Sequence, residues 1–390
     1  MNRPHIAVFG LRNSGKSALI NALAGQDVAI VSDVAGTTTD PVKKIMELSG
    51  VGAVVLIDTA GIDDEGELGG QRVLRTKALI KQVDLALLLF ASPTMGPYEL
   101  NLLSDFTDAG LPYILVHSKS DLTPVDPAME QETCACSAKN GAGIEALLGL
   151  IQNKLSQRGV SKPSLLGDLI VKGNTVVLVC PVDSGAPEGR LILPQVQTIR
   201  DVLDHQALAL VLTPSSFEAY MQKRGEADLI ITDSQLFGWV EQWAPAHTPL
   251  TSFSVLLAHH KGLFSHYVRG TPLLSRLQEG DRILILESCT HHASCEDIGR
   301  VKLPAQIRSF TAKKLSFTMV AGLDPLPDRL STFALAIQCG GCMVTPRQLN
   351  ARVAALIDQG IPVTNYGMAL SYMAGIFDRA VAPFLNDERR

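Results

Sequence analysis

A chain of 390 residues, 46% apolar and 19% charged, suffices for two to three domains with ample buried cores. A net charge of −5, a pI near 6.0 and the lack of any basic block speak against a general nucleic-acid binder. No apolar run approaches membrane-spanning length, and the first strand begins almost at Met1, leaving no room for a signal peptide. A cytoplasmic protein is expected, with cysteines acting as thiols or metal ligands rather than disulfides.

His5 to Phe9 reads as a buried strand and Ser17 to Ala24 as a helix. Between them, Gly10-Leu11-Arg12-Asn13-Ser14-Gly15-Lys16-Ser17 matches the phosphate-binding loop G-x-x-x-x-G-K-[ST] in full. Gly10 and Gly15 let backbone N–H groups, including that of Ser14, wrap an anion, and Lys16 adds a charge near the β and γ phosphates. The Ser17 hydroxyl suits a Mg²⁺ ligand. The polar loop Ser32 to Asp40 offers Thr38, with Thr37 as second choice, to complete the Mg²⁺ shell when a γ phosphate is present. The strand Val54 to Ile57 ends in Asp58-Thr59-Ala60-Gly61, where Asp58 can hold Mg²⁺ through water and Gly61 can donate to the γ phosphate. Leu85 to Phe90 and Tyr113 to His117 are further strands. Ser118-Lys119-Ser120-Asp121 follows the second, and the Asp121 carboxylate can accept from both N1–H and N2–H₂ of guanine. Ser137-Ala138-Lys139 would close the base pocket on the guanine O6.

These elements in this order resemble the translation-factor-like GTPases, especially the branch containing the tRNA-modification GTPase MnmE and Era. The resemblance implies GTP or GDP with Mg²⁺ at Gly10 to Ser17, Thr38, Asp58 to Gly61, Ser118 to Asp121 and Ser137 to Lys139. Two departures stand out. Ser118 replaces the usual Asn, removing an amide that braces the loop, so weaker guanine affinity is expected with Asp121 keeping the specificity. Ile62 stands where Ras-like proteins place a water-orienting glutamine, so slow hydrolysis is expected. The resemblance also implies that Asn13 binds K⁺, which would stimulate hydrolysis in the absence of an arginine finger.

A polar stretch at Ser156 to Lys162, with Gly159 and Pro163, predicts a domain boundary. Beyond it lie strands at Thr175 to Cys180, Leu208 to Leu212 and Asp228 to Thr232, and helices at Gln195 to Gln206 and Ser215 to Arg224. Gly185 to Gly189 lacks the Lys of a phosphate loop. An α/β dimerisation module over residues 161–265 is expected. His259, His260 and His266, without a paired Cys or acid, read as surface or packing residues.

In residues 266–390, Arg282 to Leu286 is a strand running into Cys289-Thr290-His291. Phe333 to Ile337 is another, running into Cys339-Gly340-Gly341-Cys342, and Pro362 to Thr364 a third. Both Cys clusters therefore fall at carboxyl ends of strands, where open α/β sheets place their sites. Thr345-Pro346-Arg347-Gln348 reads as a capped helix start, with the helix stopping at Gly360. Three thiolates and a His suit Zn²⁺ as a Cys₃His set, and thiolates also hold a [4Fe–4S] cluster with one iron left open. Cys295 has no partner spacing. The chemistry of the residues leaves both metals open.

The whole arrangement, a GTPase domain, an α/β module, then C-x-H and C-G-G-C, resembles the HydF family of [FeFe]-hydrogenase maturation GTPases. That resemblance implies a P-loop GTPase domain (1–160) followed by two smaller, mainly parallel α/β domains, the last binding a [4Fe–4S] cluster. It implies Cys289, Cys339 and Cys342 as cluster ligands and His291 as a labile fourth; Gln338 stands where many members carry a second His. It further implies a homodimer that takes a di-iron precursor from radical-SAM maturases and delivers it to apo-[FeFe]-hydrogenase. A rival reading is a regulatory or RNA-associated GTPase with a structural zinc site.

Overall fold

The structure is a computed structural model that describes residues 3–24, 32–34, 42–48, 51–59, 76–156, 164–182, 191–223, 225–288, 298–342 and 344–385. Thr37, Thr38, Ala60, Gly61, Ile62, Cys289, His291, Cys295 and the Gly185 to Gly189 loop lie outside the described residues. The chain divides into two compact units, 1–160 and 161–390.

The first unit runs β1 (His5–Gly10), α1 (Lys16–Ala24), β2 (Ser32–Val34), β3 (Val42–Leu48), β4 (Gly52–Asp58), α2 (described over 76–80), β5 (Leu85–Phe90), α3 (Pro97–Asp108), β6 (Tyr113–His117), β7 (Thr133–Ala135) and α4 (Ile144–Ser156). Its sheet has the order β2-β3-β4-β1-β5-β6-β7. β1, β4, β5, β6 and β7 pair in parallel, and β5 is wholly buried, as a continuous apolar run covered on both faces should be. One face packs Leu19, Ile20 and Leu23 of α1 on Val54, Leu56 and Leu87. The other packs Phe106 of α3 on Phe9, Ala86 and Leu88. β3 was not foreseen from sequence. It pairs antiparallel with β4, and its lysines and glutamate obscure a half-buried alternation in which Met46 and Leu48 are buried while Lys43 and Glu47 are exposed.

The second unit begins with β8 (Thr175–Val179), α5 (Leu193–Asp204), β9 (Leu208–Leu212), α6 (Pro214–Lys223), β10 (Leu229–Thr232), α7 (Phe237–Trp243), β11 (Leu250–Ser252), α8 (Phe253–His260) and α9 (Phe264–Gly270). It continues with β12 (Arg282–Leu286), α10 (Leu303–Thr311), β13 (Ser316–Val320), β14 (Leu335–Gln338), α11 (Pro346–Ile357), β15 (Val363–Asn365), α12 (Tyr366–Met373) and α13 (Phe377–Leu385). Two parallel sheets result, ordered β11-β10-β8-β9 and β13-β12-β14-β15. They share one apolar core, in which Leu178 and Ile231 of the first sheet and Leu284, Leu286 and Ala336 of the second meet Leu256 and Leu257 of α8 and Met368 of α12. β14 starts two residues later than Phe333, whose ring instead lies under the Arg282 guanidinium, 4.6 Å from it. The helix start at Thr345 is capped as expected: the Thr345 hydroxyl accepts from the Gln348 N–H, and the Gln348 side chain accepts from the Thr345 N–H.

Candidate functional site

The first candidate site lies at the carboxyl end of the seven-stranded sheet. β1 ends at Gly10, whose φ of +149° and whose closeness to Leu89 O, 2.5 Å from where a Cβ would sit, admit only glycine. Asn13 at φ +62° and Gly15 at φ +92° turn the loop into the first residue of α1. The buried Lys16 folds its ammonium over the loop, donating to Gly10 O at 2.9 Å and Leu11 O at 2.7 Å. Ser17 donates its hydroxyl to Asp58 Oδ2 at 2.5 Å. β1 and β4 bring these two together, since Asp58 is in register with Val8 and Thr59 donates to Val8 O at 2.6 Å. A hydroxyl beside a carboxylate at a helix start suits a hard cation bound partly through water.

The base-recognition residues follow β6 and β7. Ser118 donates its hydroxyl to Ser14 O at 2.6 Å and lies 3.2 Å from Phe90 O. The loss of bracing expected from the missing amide is thus partly made good by a shorter side chain, which ties this loop to the phosphate loop. Lys119 adopts φ +55°. Asp121 Oδ1 accepts from the fully buried Ser137 hydroxyl at 2.7 Å, and the Lys139 N–H reaches the same hydroxyl at 3.3 Å. The Ser137 hydroxyl holds the Asp121 carboxyl below the usual carboxylate range. Ala138 sits between these two contacts.

The second candidate site lies where β12 and β14, paired Leu286 to Gln338, run out. Cys339 Sγ is met by the N–H groups of Ser288 at 3.1 Å and Gly341 at 3.4 Å, with the Ser288 hydroxyl at 3.2 Å and Gln338 Nε2 at 3.4 Å. Desolvation holds the Cys339 thiol above its ordinary value, and the contacts from Ser288 and Gly341 act in the opposite sense without cancelling it. N–H groups aimed at sulfur favour a thiolate, so the donor set fits a metal or cluster held by thiolates. Gly341 takes φ +67°, and a Cβ there would meet Leu349 Cδ1 at 2.5 Å. Cys342 packs beside the shared core and forms no disulfide.

One buried cation holds this turn, and a second ties together the ends of β12 and β13. The Lys261 ammonium donates to Gly341 O and, at 2.7 Å, to Val344 O. Burial pulls it down to about 8, while the Cys342 and Cys339 thiols act in the opposite sense. Arg352 of α11 donates to Glu287 O at 3.0 Å, Val320 O at 3.1 Å and Gly322 O. Neither is evident from sequence, because a lone Lys past an apolar helix and an Arg within an amphipathic one both read as surface residues. Three or more metal-ligating side chains do not converge anywhere among the described residues. His259 lies between the Phe264 and Phe384 rings, at 5.1 and 4.7 Å, in the packing role expected of it.

Residues 5–119 match the family model described as 50S ribosome-binding GTPase. Residues 165–262 match the hydrogen maturase F dimerization domain, and residues 265–383 the hydrogen maturase F tetramerization domain. The chain belongs to the hydrogen maturase F family. Its hydrogen maturase F domains are joined to a GTPase domain, the kind that binds GTP and GDP with Mg²⁺ and hydrolyses GTP. That domain is 40% identical over 147 residues to the tRNA modification GTPase MnmE of Nitrosomonas europaea, covering 36% of this chain and 32% of that protein. It is 38% identical over 144 residues to MnmE of Xanthomonas campestris, covering 37% and 32%. The chain thus spans about a third of the length of these relatives. Among solved structures, the G domain of the Thermotoga maritima FeoB iron transporter is 22% identical, covers 40% of this chain and 99% of its own, and has a TM-score of 0.32. Aquifex aeolicus Era is 17% identical, covers 63% and 100%, and has a TM-score of 0.33. Among the described residues no helix is long and apolar enough to cross a membrane.

Proposed function

We propose that this chain is a cytoplasmic, GTP-hydrolysing scaffold that binds a [4Fe–4S] cluster, receives a di-iron precursor from radical-SAM maturases and delivers it to apo-[FeFe]-hydrogenase. One observation carries the reading: Cys339 Sγ faces the N–H groups of Ser288 and Gly341 at neighbouring strand ends, in a chain with both hydrogen maturase F domains. Cys289, Cys339 and Cys342 are the proposed cluster ligands and His291 the labile fourth. When bound, the cluster supplies iron with a weakly held coordination position, which a carrier needs in order to take up and release cargo.

The chain's own residues do the rest. Gly10, Ser14 and Gly15 cradle phosphates, Lys16 places its charge at the β and γ positions, and Ser17, Thr38 and Asp58 hold Mg²⁺. Asn13 would hold K⁺, which would supply positive charge beside that of Lys16 and the N–H of Gly61, where charge develops on the γ phosphate. Asp121, oriented by Ser137, selects guanine; Ser118 and Lys119 shape its loop, and the backbone of Ser137, Ala138 and Lys139 closes on O6. GTP does not drive the iron chemistry but shifts the switch loops at Thr38 and Asp58 to Gly61, and so alters contacts with the other domains or with partners. We assign residues 161–265 to dimerisation and 266–390 to the cluster. β9 is an edge strand whose Leu208 and Val211 are 62% and 40% exposed, and a second copy of the chain covers it.

The test is anaerobic purification followed by iron, sulfide and zinc analysis and EPR of the dithionite-reduced protein. Near-stoichiometric four-iron content with a reduced [4Fe–4S] signal, both lost in Cys339→Ser, is expected. Stoichiometric zinc that survives iron reconstitution, with no cluster signal, would overturn the reading.

A further inference from the structure

Lys261 is the first residue past α8, within the segment matched to the dimerization domain, yet its ammonium reaches the C-G-G-C turn of the next segment. It is only 3% exposed. A buried ammonium is costly unless its donors and its charge are both answered. Gly341 O and Val344 O answer the donors. Among the described residues no carboxylate pairs with the charge, and the acidic groups acting on it are the Cys342 and Cys339 thiols. A neutral side chain could fill the same volume at lower cost, so the charge itself calls for a reason. α8 supports the turn elsewhere too: Leu257 and Ser254 lie 3.5 Å from where a Gly340 Cβ would sit, and the Ser254 hydroxyl lies 3.0 Å from Asn365 Oδ1.

We propose that Lys261 is a positioning residue of the thiol site, clamping the Gly340-Gly341 turn and holding a fixed positive charge beside the Cys339 and Cys342 thiolates. It rests on the reading of Cys339 and Cys342 as cluster ligands. Through it, and through Leu257 and Ser254, the dimerisation segment contributes to a site whose thiols come from the next segment. The charge lowers the cost of gathering thiolates, and of adding an electron to what they hold.

The test uses the full-length dimer reconstituted anaerobically with iron and sulfide, comparing wild type with K261M and K261R. K261M is expected to lose iron to a chelator severalfold faster. Its oxidised-to-reduced ratio at a given potential should rise about tenfold, a downward shift of about 59 mV for one electron. K261R, which keeps the charge, should restore the potential. If K261M does not fold, K261Q, neutral but still an N–H donor, carries the measurement. A folded neutral variant with wild-type iron retention and potential overturns the proposal. So does a K261R whose potential falls with K261M, or loss of fold in both neutral variants, which would make Lys261 a residue of the core alone. Wild type that takes up no iron would instead overturn the cluster reading.

Discussion

Ser118 and Ser14, which belong to different loops and lie 104 positions apart in sequence, are joined by a 2.6 Å hydrogen bond from the Ser118 hydroxyl to the Ser14 carbonyl. The base-recognition loop is thereby fastened to the phosphate loop, so the two ends of a nucleotide meet surfaces that hold each other in place. Ser118→Ala removes this donor from a buried site. A neutral hydrogen bond contributes roughly 0.5–1.5 kcal/mol, so GDP binding should weaken roughly two- to tenfold. Fluorescent-nucleotide titration checks this; unchanged affinity would mean the brace is idle.

The Ser137 hydroxyl, bonded to Asp121, bears on pH. Asp121 is held below its ordinary value, chiefly by this bond. A carboxyl depressed in the folded state makes its contribution above the unfolded value and loses it only as pH falls through the lower, folded value. GDP binding by wild type should therefore persist below the ordinary aspartate value of about 4. In Ser137→Ala the acid limb should move up in pH. The check is GDP affinity against pH across the range in which circular dichroism shows both proteins folded.

Asn13 sits at φ +62°, a conformation Asn tolerates better than most residues. If its side chain holds K⁺, phosphate release should be faster in KCl than in NaCl, and Asn13→Ala should abolish the difference. Equal wild-type rates in the two salts would remove K⁺ from the mechanism.

Leu208, 62% exposed on the edge strand β9, should be covered in the assembled protein. A charge on an edge strand opposes strand addition. Leu208→Lys should shift the chain toward monomer in sedimentation, with its thermal melting little changed. A dimer of wild-type strength would place the interface elsewhere.

Much of this is legible in the sequence, because local chemistry carries it. Gly10, Gly15, Lys16 and Ser17 announce a phosphate loop through spacing alone, since wrapping an anion with backbone N–H groups dictates where glycines and the lysine must stand. Apolar runs such as Leu85–Phe90 and Arg282–Leu286 announce buried parallel strands in the same local way. β3 escaped because Lys43, Lys44 and Glu47 blur a pattern that only pairing with β4 makes plain. Whether Ser118 weakens its loop depended on a carbonyl brought to it by the sheet. Gln338, read as a lost imidazole, turns out to point its amide at Cys339 Sγ from 3.4 Å. Lys261 and Arg352 were silent in the sequence, since a cation becomes part of a site only when packing removes it from water and sets it against chosen carbonyls. Residue types and their spacing specify which groups can do chemistry and in what order the strands deliver them. Which distant side chains brace them is settled by packing, because burial and long-range hydrogen bonding exist only once the sheets have come together.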